Sequence, residues 1–104
     1  MKPHKEMQRE AKVLTNKALY QAILSLQNEE ECSQFFSDLC TPAELEAMVD
    51  RWAVVPYLNE GLPYRKIHDI TGVSVTTIGR VARFLTIGNG GYKTALDRLG
   101  LFNL

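Results

Sequence analysis

The sequence lacks most of what would give a small protein an obvious chemistry. Two cysteines, Cys32 and Cys40, occur in 104 residues, too few for the disulfide framework of a small secreted domain, and they are expected to be reduced. The two histidines, His4 and His68, stand far apart, and no CxxC or HxxxH spacing occurs, so a zinc site is excluded on spacing. No run approaches the ~18 apolar residues of a membrane span, and charges are scattered through the first twenty residues, where an export signal would be apolar. A cytoplasmic protein with no membrane partner is expected. Neither a repeat nor a Gly/Ser/Pro-rich linker divides the chain, which reads as one domain over residues 1–104, within the usual range of ~100–150 residues. Net charge is missing as well: 12 Lys+Arg balance 12 Asp+Glu, which taken whole argues against a strongly basic nucleic-acid binder.

Catalytic signatures are also wanting. No nucleophile stands with a base in a recognisable pattern. The glycine-rich Gly88-Asn89-Gly90-Gly91 has neither a preceding strand nor a phosphate-loop lysine, and reads as a helix break. The chain is therefore not expected to be an enzyme.

What the chain does contain is helical periodicity, without sustained alternation of period two. Lys5 to Leu26 places Ala11, Leu14, Ala18 and Ala22 beside Leu19, Ile23 and Leu26. Asn28 can cap a second helix ending at Leu39, with Glu29, Glu30 and Glu31 in its first turn to complement the helix dipole. Thr41-Pro42-Ala43-Glu44 is the pattern of a capping box. The helix it opens carries Leu45, Met48, Val49, Trp52 and Val55 on one face, with a kink expected at Pro56 and a stop at Gly61. Shorter helices follow over Tyr64 to Thr71, Val75 to about Leu85 behind a Ser74 cap, and Tyr92 to Leu99. Six helices in one small chain make an all-α fold. A chain of this size buries only about two thirds of its unfolded surface, so a core shared with a second copy would help it.

Residues 64–86 read as a helix-turn-helix: a short helix, a turn at Gly72, and a capped second helix. Ile78, Val81, Ala82 and Leu85 fall on one apolar face of that second helix, and Thr76, Gly79, Arg80 and Arg83 on the face beside it. Glycine within a helix costs about 1 kcal/mol against alanine. Gly79 therefore implies either close approach by another surface or crowding between helices. His68 is either a contact of the first helix or a plain surface histidine. The zero net charge also proves to be segregated. Residues 61–104 hold six Lys/Arg against two acids, net +4; residues 1–17 are net +3; residues 28–60 carry eight acids against Arg51 alone, net −7.

Leu39-Cys40-Thr41-Pro42-Ala43-Glu44-Leu45-Glu46-Ala47 through Arg51, followed by Gly61 and by Gly72 to Arg80 with its Thr77-Ile78-Gly79-Arg80, resembles the Trp repressor family. The likeness spans about residues 35–87. It implies an intertwined homodimer, with dimerisation helices over about residues 5–60 and 92–100, whose two helix-turn-helix heads enter successive major grooves of double-stranded DNA. The resemblance assigns Arg65, His68, Ser74, Val75, Thr76, Thr77, Gly79 and Arg83 to DNA. Thr76 would reach a base edge and Val75 a thymine methyl. It also assigns Thr41, Arg51, Arg80 and Phe84 to a corepressor pocket. Departures from the family pattern cluster there: Val81 replaces a glycine, Phe84 a small serine, and Asp38 and Cys40 two leucines supplied by the partner. The large ring of Phe84 can occupy the space of an indole, which leaves L-tryptophan, another small effector, or none.

The expected function is thus a sequence-specific, homodimeric transcriptional regulator, a repressor by resemblance. The alternative is a protein-interaction module that keeps the helix-turn-helix shape without binding DNA, which the acidic middle segment favours.

Overall fold

The computed structural model describes residues 4–101, so the extreme ends of the expected 1–104 domain lie outside the described residues. Among those residues there are six helices and no strand, the all-α architecture that the periodicity implies. They fall into two compact units, Met1–Thr41 and Pro42–Leu104.

The first unit holds α1 (His4–Leu24) and α2 (Glu29–Leu39). α1 stops two residues short of the expected Leu26, where the Ser25 hydroxyl donates to the Ala22 carbonyl at 2.6 Å. α2 starts as its sequence dictates. Asn28 Oδ1 accepts from the Glu31 amide at 2.8 Å, which the helix leaves unpaired, and Glu31 Oε1 reaches back to accept from the Gln27 amide, just before the cap, at 2.8 Å. No described residue of this unit is buried, and Val13, Leu14, Tyr20 and Leu24 are all exposed.

The second unit contains the core. It comprises α3 (Pro42–Asn59), α4 (Tyr64–Thr71), α5 (Val75–Ile87) and α6 (Gly91–Arg98). α3 begins at the proline, as the boundary signal implies, and carries Pro56 inside it. It runs on for one more turn, held by Val54 and Val55, which are completely buried. The expected apolar face of α3 also needs correction. Val54 joins Val55 in the core, while Met48 and Val49 are exposed and Leu45 and Trp52 only half-buried. The end of α3 is closed by two bonds, Gly61 N–H to the Leu58 carbonyl at 3.0 Å and Leu62 N–H to the Tyr57 carbonyl at 3.2 Å, the pattern of a Schellman cap.

Val54, Val55, Ile67, Val73, Ile78, Val81 and Leu96 form the buried cluster, drawn from α3, α4, the turn, α5 and α6. Full burial of one such side chain contributes about 1.5–3 kcal/mol. The cluster fixes α4 and α5 against α3, and so fixes which of their faces remain outside.

Candidate nucleic-acid interface

The turn between α4 and α5 is closed by four hydrogen bonds within seven residues, Ile67 to Val73. Gly72, at φ 75°, takes the left-handed conformation that glycine adopts without a Cβ penalty, and its amide donates to the His68 carbonyl at 2.8 Å. The Thr71 hydroxyl donates to the Ile67 carbonyl at 2.7 Å and accepts from the Val73 amide at 3.1 Å. His68 Nδ1 lies 2.7 Å from the Val73 carbonyl. A carbonyl oxygen only accepts, so Nδ1 carries the proton and donates. Val73 itself is buried and anchors the turn to the core.

α5 then begins as the sequence implies. Ser74 Oγ accepts from the Thr77 amide at 3.1 Å and donates to Thr77 Oγ1 at 3.0 Å. The inner face is the expected one: Ile78 and Val81 are buried, Ala82 and Leu85 half-buried. The outer face presents Val75, Thr76, Arg80 and Arg83, all exposed, with Gly79 and Thr77 half-buried among them. On α4, Arg65 and His68 are exposed. Ser74 and Thr77 therefore have a local capping role that accounts for them without any outside partner.

The structure bears on one reading of Gly79, crowding between helices of this chain. A Cβ placed on it would meet only Tyr64 Cε2, at 3.8 Å, an ordinary contact. Crowding between helices does not require glycine at this position. Tyr64 and Thr71 were not among the candidate residues, although both shape the unit: Tyr64 lies under Gly79, and Thr71 joins the last turn of α4 to Val73. The available signal was Thr71 itself, a hydroxyl one residue before a helix-ending glycine, where bonding back to the preceding turn is favoured.

The four candidate effector residues are distributed less simply. Thr41 closes the first unit; Arg51, Arg80 and Phe84 belong to the second. Arg51 lines a depression of about 230 Å³ with Met48, Trp52 and Tyr92. Phe84 lines another, of about 330 Å³, with Gly88, Asn89, Gly91 and Tyr92. Tyr92 borders both, its ring 6.3 Å from that of Trp52. The Arg80 guanidinium sits over the Phe84 ring, 5.7 Å from its centroid. Val81 takes no part in either depression; at 1% exposure it is a core residue. Among the described residues no group of His, Cys, Asp and Glu could hold a metal ion, and no helix is long and apolar enough to cross a membrane.

A stapled turn between two helices seated on a common core, with a row of polar and cationic side chains outside, defines a helix-turn-helix protein. The sequence matches the model of the Trp repressor protein family over residues 15–100, and the chain belongs to that family, which is regulatory and non-enzymatic. It is 48% identical over 81 residues to the uncharacterized protein YerC of Bacillus subtilis (strain 168), covering 78% of each chain. Among solved structures, a TrpR-like protein from Eubacterium eligens ATCC 27750 superposes with a TM-score of 0.83 at 38% identity, over 92% of this chain and 99% of the other. A candidate Trp repressor from Staphylococcus aureus gives 0.81 at 38% identity, over 99% and 100%.

Proposed function

We propose that this protein is a homodimeric, sequence-specific DNA-binding regulator of transcription, a repressor, acting as a single functional domain in the cytoplasm. The observation that carries the reading is the outer face of the helix-turn-helix. Val75, Thr76, Gly79, Arg80 and Arg83 of α5, with Arg65 and His68 of α4, stand exposed or half-exposed on a unit whose inner face is anchored in the core. Over residues 64–86, Arg65, Lys66, Arg80 and Arg83 stand against Asp69 alone, an excess of the charge that phosphates require. Small side chains such as Val75 and Thr76 carry little base information one by one, which favours readout through water and DNA shape.

Dimerisation rests on the first unit. Two helices with no buried residue among those described, and with Val13, Leu14, Leu19, Tyr20, Leu24 and Leu39 exposed, need a second copy to cover them. In this reading residues 5–60 and 92–100 serve the dimer and 64–86 the DNA. The reading leaves L-tryptophan, another small effector or none: Arg51 and Arg80 are the cations that would hold one, and Phe84 decides how much room remains.

The test is a titration of the protein against duplexes selected from random DNA, at graded salt. The expected result is a preferred duplex and a steep salt slope, reduced by about one for each phosphate contact removed by Arg65→Ala or Arg83→Ala. No preference over random DNA and no slope would end this reading.

A further inference from the structure

The hydrogen bond from His68 does more than close the turn, because it fixes which nitrogen holds the proton. Nδ1 donates to the Val73 carbonyl at 2.7 Å. In the neutral ring the other nitrogen, Nε2, is then an acceptor only. His68 is exposed, on the same helix as Arg65 and one turn beyond it. A phosphate oxygen also only accepts, so Nε2 cannot meet one unless the ring takes up a second proton.

We infer that His68 is a proton-coupled phosphate contact: the imidazolium donates through Nδ1 to the turn and through Nε2 to a DNA phosphate. The inference rests on the DNA-binding reading above. The proton comes from solvent and is returned when the complex dissociates. α4 itself carries Tyr64, Arg65, Lys66 and Asp69 as its other titratable groups; α5, packed on it, carries Arg80 and Arg83; α3, also packed on it, carries Glu44, Glu46, Asp50, Arg51 and Tyr57. Of the side-chain types on these three helices, histidine is the one whose ordinary range of charge change lies between about pH 5.5 and 8. Over that interval the affinity of the wild type should fall as pH rises, by up to tenfold per unit for each head engaged.

The controls follow from the geometry. His68→Asn places an amide nitrogen where Nδ1 stands, keeping the brace and removing the titrating group. His68→Lys is charged throughout the interval. The experiment measures the dissociation constant for one selected duplex, at fixed salt, from pH 5.5 to 8, with all three proteins; His4, the other histidine, is common to them. A wild-type profile that falls with pH, beside flat profiles for H68N and H68K, is the expected result. Binding by all three with parallel profiles overturns the inference and leaves the DNA-binding reading standing. No binding by any of them at any pH overturns both.

Discussion

The Arg80 guanidinium and the Phe84 ring stack one helical turn apart on α5, with 5.7 Å between the charge and the ring centroid. The pair is solvent-facing, Phe84 being 46% exposed, so the contact contributes about 0.5–1 kcal/mol. Its larger consequence is occupancy, since the ring covers a face of the guanidinium that a planar effector would otherwise use. Thermal unfolding of the wild type is expected to be unmoved by L-tryptophan. Phe84→Ser should fold with little loss and gain a shift, about 2.7 kcal/mol for ligand at a hundred times its dissociation constant. A shift in the wild type, or none in F84S, would contradict this. Val81→Gly is no companion to it. That change empties the core and adds a helix glycine, for a loss of roughly 3 kcal/mol.

Gly79→Ala separates stability from binding. The new methyl group rests on Tyr64 in ordinary contact, and the helix gains up to about 1 kcal/mol in propensity. The unfolding midpoint should rise while affinity for a selected duplex falls. An alanine variant that binds as tightly as the wild type would show that nothing approaches this position closely.

Thr71→Val tests the staple of the turn. The hydroxyl serves both the Ile67 carbonyl and the Val73 amide, and its removal leaves that amide unpaired beside a buried side chain. A loss of about 1–3 kcal/mol in chemical denaturation is expected. A loss under half a kilocalorie would mean that the His68 and Gly72 bonds hold the turn unaided.

Leu14 is 67% exposed on α1, beside Val13 in an apolar depression that also involves Arg9 and Glu10. Sedimentation of the wild type should give twice the chain mass of 11.7 kDa, with a melting temperature that rises with concentration. Leu14→Glu should yield monomers and a concentration-independent melt. A wild type that sediments as a monomer at high concentration would remove the dimer from the proposal.

Much of this molecule was legible in residue order, because its signals are local. Asn28 and Ser74 cap the helices they precede, Pro42 opens α3, and Gly61 and Gly72 end α3 and α4 through bonds that reach only a few residues. The inner face of α5 was legible for the same reason, as Ile78 and Val81 recur at the helical period and are both buried. Where burial depends on partners distant in sequence, periodicity misled. It grouped Met48 and Val49 with Val55 on one apolar face and passed over Val54, whereas the fold buries Val54 with Val55 and leaves Met48 and Val49 exposed.

The candidate interface divides along the same line. The sequence by itself determined that a helix-turn-helix lies over residues 64–86, that its cations are Arg65, Lys66, Arg80 and Arg83, and that the balanced charge is a sum of opposed blocks. Only the tertiary structure decided what those side chains do. It bonded His68 to Val73 across the turn, laid Arg80 on Phe84, set Tyr64 under a glycine with room for a methyl group, and took Val81 into the core. The reason is physical: caps and turns are fixed by backbone groups two to five residues apart, whereas the partner of a side chain is whatever the packing of α3, α4 and α5 brings alongside it.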